Sequence, residues 1–190
     1  MLPAAERGGC DLTRFSTKET VYTALGIALI AVCSWISIPL TVPFTLQTFA
    51  VCLVTALLGL KMGVSAVAGY ILLAAVGVPV LSGFRGGIGA LMGATGGYVV
   101  GFLFTALTVG LAIRKGGRSL PVLLGSMTIG ILICYAFGTA WFMAVYARKS
   151  GPIGLGSALS LCVLPYLIPD GLKVLLATGL TRRLRPQIFR

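Results

Sequence analysis

The stretch LPVLLGSMTIGILICYAFGTAWFMAVYA, residues 120–147, contains no charged side chain. A helix needs about 20 consecutive apolar residues to cross the hydrocarbon core of a bilayer. This run is longer, so we expect it to tilt or to extend beyond the membrane. Because lipid offers no partners to backbone polar groups, a spanning run has to be helical. The stretch therefore predicts a membrane protein built from α-helices.

The composition of the whole chain supports this fold class. Of its 190 residues, 57% are hydrophobic and 10% are charged, whereas soluble domains are about 45–50% apolar and about 25% charged. Five further apolar runs lie near residues 19–38, 46–60, 62–80, 89–113 and 167–182. The polar–apolar alternation of a membrane β-barrel is not sustained anywhere. We expect one membrane-embedded, all-α domain over residues 1–190, with six transmembrane helices in one bundle after a short polar tail of residues 1–18.

The basic residues predict the orientation of that bundle. The formal net charge is +11, but the lysines and arginines form short clusters between apolar runs, which is typical of topology signals and argues against nucleic-acid binding. With the N-terminus in the cytoplasm, the cytoplasmic side holds Arg7, Arg14, Lys18, Lys61, Arg114, Lys115, Arg118, Arg182, Arg183, Arg185 and Arg190. The outer side then holds Arg85, Arg148 and Lys149. This bias predicts that both termini are cytoplasmic.

A charged pair interrupts the last apolar run, in LPYLIPDGLKVLL at residues 164–176. Asp170 is the only acidic residue after Glu19, and Lys173 follows three residues later on the same helix face. Pro169 is expected in the first turn of this helix, with Asp170 near the positive end of its dipole. Charges inside a membrane are costly and usually mark a ligand or ion path. An ion pair that merely fixes helix packing remains the alternative.

The sequence also predicts the structure of two connections between the long helices. GLKMG, residues 59–63, predicts a tight turn between the second and third helices. GSALSLCVL, residues 156–164, predicts a short helix that dips into the outer membrane face, ended by Pro165 and Pro169 before the final span.

The segment GGIGALMGATGGYVVGF, residues 86–102, is rich in glycine. Gly93, Gly97 and Gly101 share one helix face, a spacing that lets another helix approach closely. Gly86, Gly87 and Gly89 precede them and predict a bent, closely packed outer loop. Two interpretations stay open: tight packing alone, or a loop whose backbone approaches a ligand near Tyr98.

Several classes of chemistry are disfavoured. The chain has no histidine, and its five cysteines form no C-x-x-C pair, which argues against a zinc site or a thiol–histidine catalytic pair. Cysteines in the apolar runs are expected to act as small hydrophobes. Neither H-E-x-x-H nor the ATP-binding motif G-x-x-x-x-G-K-[ST] occurs. We expect no enzymatic activity and no cofactor.

Three segments resemble those of one known family: IPLTVPFTLQTFAV (38–51), GVPVLSGFRGGIGALMGATGGYVVGF (77–102) and LPYLIPDGLK (164–173). In this order and spacing they resemble the BioY family, the biotin-specific substrate-binding (S) components of energy-coupling factor (ECF) transporters. The resemblance runs from about residue 20 to residue 182. It departs at Ala94, where the family usually has proline, a change expected to alter loop stiffness more than chemistry.

The resemblance implies a multi-pass protein in the cell membrane of a prokaryote, surrounded by membrane lipids, that captures biotin from outside. It also implies an energising module made of a transmembrane coupling protein and two cytoplasmic ATPases. Asp170 and Lys173 carry over to the family's biotin site. Ala24 and Ala28 in the first helix correspond to its docking motif for the coupling protein.

Further candidate contacts to biotin rest on position rather than on a matched motif. They are Thr45, Gln47, Ser82, Arg85, Gly87, Tyr98 and Trp141. Asp170 is suited to accept from the ureido N–H groups, Lys173 to donate to an oxygen, and Arg85 to meet the carboxylate. The alternatives are an S component for another small vitamin and a self-sufficient proton-coupled carrier that uses Asp170.

Overall fold

The structure, a computed structural model, describes residues 15–39 and 42–188. Within those residues the chain is mostly helical. The helices are α1 Thr17–Trp35, α2 Gln47–Leu58, α3 Leu60–Ala75, α4 Ile88–Leu91, α5 Gly96–Gly116, α6 Leu120–Ser150, α7 Leu155–Cys162 and α8 Leu164–Ile188. Two short strands, β1 Ser37–Ile38 and β2 Phe44–Thr45, pair antiparallel between α1 and α2. The six longer helices overlap the six predicted apolar runs, and α7 confirms the predicted short helix.

Length and composition identify fewer spans than six among the described residues. Helix α5 and residues Leu120–Arg148 of α6 are each long and apolar enough to cross a membrane. Helices α7 and α8 would together count as a third span, bent by 41°. Helices α2 and α3 are apolar but shorter. The described residues thus include two or three clear apolar spans, and the six-span arrangement stays a prediction.

Glycines on α5 allow close packing against α6. A Cβ atom added at Gly97 would lie 2.2 Å from Cβ of Trp141, and one at Gly101 would lie 2.8 Å from Sγ of Cys134. Gly93 lies before the start of α5, and its carbonyl oxygen accepts a hydrogen bond from Nε1 of Trp141 at 3.0 Å. The predicted close approach is therefore confirmed for Gly97 and Gly101. The predicted placement of Gly93 on the same helix face is wrong, because the helix begins only at Gly96.

The α2–α3 connection is shorter than the sequence indicates, and the glycine loop is closely packed. The predicted turn over residues 59–63 consists of Gly59 alone, because α2 ends at Leu58 and α3 begins at Leu60. The backbone of Gly59 has a φ of 85°, a conformation that glycine adopts readily. In the glycine loop, a Cβ atom at Gly86 would lie 2.4 Å from the carbonyl oxygen of Val78. The predicted close backbone packing is confirmed there. Ala94 lies half-buried in the turn that joins α4 to α5.

The start of α8 differs from the prediction. Helix α7 ends at Cys162, and the backbone at Val163 is non-helical, with φ −125° and ψ −55°. Pro165 occupies the first turn of α8, where a missing N–H is tolerated, and Pro169 lies inside the helix. The placement of Pro169 and Asp170 in the first turn is therefore wrong. Asp170 lies too far from the helix start to depend on the dipole and requires other partners.

Among the described residues, basic residues predicted to be cytoplasmic lie at the end of the bundle opposite Arg85, which is predicted to be outer. At one end, Nζ of Lys61 lies 3.8 Å from Oε2 of Glu19, and Arg118 binds the end of α2. At the other end, α1 holds the loop that contains Arg85, since Nε1 of Trp35 donates to the carbonyl oxygen of Pro79 at 2.9 Å. Of the other residues named above, Arg7, Arg14, Arg190 and most of the polar tail lie outside the described residues.

Candidate functional site

Asp170 and Lys173 form a buried ion pair on α8. Nζ of Lys173 lies 2.7 Å from Oδ1 of Asp170, and each residue is 5% exposed. The helical spacing of three residues brings the two side chains together, as the sequence predicts. At this depth both charges need further partners, because an isolated buried charge is strongly destabilising.

Those partners come from two other parts of the chain. The hydroxyl of Tyr135 on α6 donates to Oδ2 of Asp170 at 2.5 Å. Nζ of Lys173 also donates to the carbonyl oxygen of Thr45 at 2.6 Å, and it lies 3.9 Å from the ring centroid of Phe44. Helices α6 and α8 and strand β2 therefore converge on one pair of charges. The pair fixes these elements relative to one another.

Two small cavities of about 60 Å³ each lie side by side, and this pair lines one of them. They share the wall formed by Val42, Pro43, Thr45, Tyr98 and Phe102. The first cavity is also lined by Gln47, Leu81, Ser82, Arg85, Ala90, Thr95 and Val99. The second is also lined by Phe44, Thr48, Ile131, Cys134, Tyr135, Cys162, Tyr166, Asp170 and Lys173. An apolar enclosure with a few convergent polar groups is typical of a small-molecule site.

Most of the predicted site residues meet at these cavities. Asp170 and Lys173 line the second, the predicted residues Gln47, Ser82 and Arg85 line the first, and Thr45 and Tyr98 line both. Residues from four distant parts of the sequence are thus brought to one place.

Gly87 and Trp141 are not among the described residues that line either cavity. The backbone N–H of Gly87 donates to the carbonyl oxygen of Ala74 at 2.6 Å, which attaches the glycine loop to α3. Trp141 packs on Gly97 and binds the carbonyl of Gly93. In the structure both residues hold the glycine segment in place.

Gln47 has an unusual environment beside the first cavity. It is 4% exposed and its side chain lies near the hydroxyl of Tyr70, yet its Nε2 atom forms no hydrogen bond of good geometry among the described residues. A buried donor left without an acceptor costs about 1–3 kcal/mol. The side-chain amide of Gln47 is therefore available to donate to an acceptor on a ligand in the first cavity.

Arg85 lies at the exposed edge of the first cavity. Its Nε donates to the carbonyl oxygen of Ser82 at 3.2 Å, which leaves its remaining N–H groups available. The neighbouring Phe84 has a positive φ of 55° and stacks on Trp35, with ring centroids 5.1 Å apart. The loop that carries Arg85 is therefore held against the end of α1.

Sequence reasoning predicted Tyr98 but missed other aromatic residues of the site. Tyr135 binds Asp170, Phe44 lies against Lys173, and the hydroxyl of Tyr166 donates to the carbonyl oxygen of Val42. One signal was available for Tyr135, because a phenol near the middle of a long apolar run requires a hydrogen-bond partner when it is buried. Nothing in the local sequence of Phe44 indicates its contact with Lys173.

Ala24 and Ala28, the predicted docking residues, lie on the exposed side of α1. Val21, Leu25 and Val32 on the same helix are also exposed, by 53%, 61% and 47%. This side of α1 is thus apolar and uncovered by the rest of the described chain.

The sequence and fold of this chain can be compared with those of known proteins. The sequence matches the BioY family profile over residues 8–190. The chain belongs to the BioY family. It is 38% identical over 169 residues to the biotin transporter BioY of Thermotoga maritima, a match that covers 88% of this chain and 96% of that protein. A BioY relative of Pyrococcus horikoshii, described as a probable biotin transporter, is 37% identical with the same coverage.

A solved structure extends the likeness to three dimensions. It is the crystal structure of the S-component for biotin from an ECF-type ABC transporter. It superposes with a TM-score of 0.78 at 27% sequence identity, covering 91% of this chain and 95% of that one. The likeness in fold to that S-component therefore extends over nearly the whole chain.

Proposed function

We propose that this chain is the biotin-binding S component of an ECF-type transporter, which captures biotin outside a prokaryotic cell and is not itself an enzyme. The observation that carries the proposal is the buried Asp170–Lys173 pair at the wall of an apolar cavity. Membership of the BioY family and the biotin S component with a similar fold support it.

The chemistry of the two cavities fits the parts of biotin. The ureido ring offers two N–H donors and one carbonyl acceptor, which match the carboxylate of Asp170 and the ammonium of Lys173. The shared wall of Tyr98 and Phe102 suits the apolar thiophane ring and chain. Arg85, at the exposed edge, is placed to receive the carboxylate.

A tracer experiment tests this proposal directly. Purified protein in detergent is expected to bind labelled biotin, and excess unlabelled biotin is expected to displace it, whereas thiamine and riboflavin are not. Displacement by another vitamin would contradict biotin specificity. Uptake that survives loss of every ATPase partner but collapses with the proton gradient would instead favour a proton-coupled carrier that uses Asp170.

The orientation proposed with this function has six membrane-spanning helices, both termini in the cytoplasm and the cavities toward the outside. Intact cells carrying Gly154→Cys, in the exposed α6–α7 connection, are expected to react with a membrane-impermeant thiol reagent. Ser119→Cys, in the α5–α6 connection, is expected to stay unreactive. The background carries Cys10→Ser, and the four other cysteines are buried. The reverse labelling pattern would contradict the orientation.

Docking to the transmembrane coupling protein, which joins two cytoplasmic ATPases, is assigned to the side of α1 that carries Ala24 and Ala28. Small side chains allow a partner helix to approach closely. Ala24→Leu with Ala28→Leu is expected to leave biotin binding by the isolated protein intact. The same change is expected to weaken association with the coupling protein and to lower ATP-dependent uptake. Unchanged uptake would contradict the docking assignment.

A further inference from the structure

The end of the molecule opposite the two biotin cavities contains a further, larger cavity. It has a volume of about 340 Å³ and is lined by Arg118, Thr181, Arg182, Arg185 and Pro186. Arg118 comes from the α5–α6 connection, and the other four come from the end of α8. Three of the five lining residues are therefore arginines, contributed by two separate elements.

The described residues supply no carboxylate to balance these arginines. Outside the pair on α8, the only carboxylate side chain within residues 15–39 and 42–188 is that of Glu19. Glu19 is bound to Lys61 and to the backbone N–H of Ser16. Burial and the nearby charge of Arg185 lower the pKa of Arg118. The cavity thus holds cations close enough to repel one another, and an anion would relieve that repulsion.

Arg118 is held in place from outside the cavity. Its Nε donates to the carbonyl oxygen of Ala56 at the end of α2, at 2.9 Å, and the side chain is half-buried. A guanidinium has five N–H donors, so most remain available after this bond. Fixed, planar donors of this kind match the oxygens of a phosphate group.

An exposed strip of α8 leads from the apolar part of the molecule into this cavity. Leu175, Gly179, Arg182 and Pro186 follow one another at spacings of three or four residues and so share one helix face. Leu175 is 58% exposed and Gly179 is also exposed. A ligand that fits both the strip and the cavity has an acyl chain joined to a phosphate, which favours a lipid over a free anion.

We infer that this cavity binds the phosphodiester headgroup of an anionic phospholipid, with an acyl chain along the exposed strip of α8. Basic pockets between helices are suited to such headgroups. The site is separate from the biotin cavities, and the inference does not depend on what those cavities bind.

Native mass spectrometry of the full chain in detergent tests this inference. Phosphatidylglycerol or phosphatidylcholine is added at equal concentrations, and the bound lipid is counted. Phosphatidylglycerol is expected to bind more tightly than phosphatidylcholine. Arg182→Gln with Arg185→Gln is expected to weaken phosphatidylglycerol binding by at least about tenfold, since it removes two cations from the site. This variant spares Arg118 and its bond to α2, so the fold is expected to persist.

The matched control is Arg114→Gln with Lys115→Gln. It removes the same charge from exposed positions at the same end, outside the cavity, and phosphatidylglycerol binding is expected to be unchanged. Equal weakening by both pairs, or by neither, would overturn the inference, as would equal binding of the two lipids. Displacement by inorganic phosphate at the concentration of the lipid would assign the site to a free anion. Intact lipid binding with lost association to a partner protein would assign it to that protein.

Discussion

Helix α8 carries charges in two opposite ways along its length. At Asp170 and Lys173 the charges are buried, opposite in sign and bound by neighbouring elements. At Arg182, Arg183 and Arg185 they are exposed, all positive and without a carboxylate partner among the described residues. The same helix therefore places a compensated pair in the interior and an uncompensated cluster at its end.

The difference follows from what surrounds each region. A buried charge has to be matched by a specific partner, because desolvation makes any unmatched charge expensive. An exposed charge is solvated and screened, so its individual identity matters less than the summed charge. Single substitutions should therefore have large effects at the buried pair and small effects at the exposed cluster.

Asp170→Asn is expected to have the largest effect, since it keeps the size of the side chain and strands Lys173. Breaking a buried pair costs about 3–5 kcal/mol, and each 1.4 kcal/mol is about tenfold in affinity. We expect biotin affinity to fall by at least about a hundredfold, and Lys173→Ala to cause similar damage. Equilibrium binding of labelled biotin in detergent measures both.

A double variant separates ligand binding from stability in that experiment. Asp170→Asn with Lys173→Met removes both charges, so neither is stranded. Its thermal midpoint is expected to lie nearer that of the parent than the midpoint of Asp170→Asn does, while biotin binding stays lost. If both single variants fold and bind biotin like the parent, the pair is structural only.

Tyr135→Phe should have the next largest effect, because it removes the hydroxyl that fixes Oδ2 of Asp170. A hydrogen bond to a charged group contributes about 1.5–3 kcal/mol. We expect biotin affinity to fall by about tenfold, as the carboxylate loses its fixed orientation. Tyr146→Phe is the control on the same helix, since that ring stacks on Phe142 away from the pair. Equal losses in both variants would contradict a specific role for Tyr135.

The helices were largely predictable from the sequence, whereas two of their starting points were not. Apolar runs with few charges locate α1 to α3, α5, α6 and α8, because charge is costly inside a spanning segment. The starts of α5 and α8 were placed wrongly. Residues 89–95 are apolar enough to join the run but rich in glycine, and hydrophobicity alone does not separate a glycine loop from a helix. Two prolines, Pro165 and Pro169, offered two possible starts for α8, and the bend at Val163 decides between them.

The charged part of the candidate site was predictable, while the residues that support it were not. Asp170 and Lys173 are conspicuous because charge is rare in such a run, and their contact follows from helical spacing. Tyr135 on α6 and Thr45 on β2 contact the pair only because α6, α8 and β2 pack together. Such contacts depend on tertiary structure, and no periodicity in one sequence encodes them.

Gln47→Leu tests a buried polar group that, unlike Asp170, has an unsatisfied atom. Removing the unpartnered Nε2 is expected to leave the thermal midpoint of the ligand-free protein unchanged or higher, since an unsatisfied donor costs about 1–3 kcal/mol. Biotin affinity is expected to fall, by less than for Tyr135→Phe. Thermal unfolding and tracer binding in detergent measure the two quantities. A fall in both would mean that Gln47 is a structural residue, and a change in neither would remove it from the site.

Arg183→Gln should have the smallest effect and completes the comparison along α8. Like Lys173→Gln, it removes one positive charge from this helix, but at an exposed position outside the lipid cavity. Ten residues separate the two positions, about 15 Å at 1.5 Å per residue, which exceeds the screening length of about 8 Å at physiological salt. We expect unchanged biotin affinity for Arg183→Gln and a large loss for Lys173→Gln, measured by tracer binding in the same detergent and salt. A loss of similar size in both variants would mean that the net charge of α8 controls biotin binding. In that case the compensated pair would have no special role, and the distinction between the buried and the exposed region would fail.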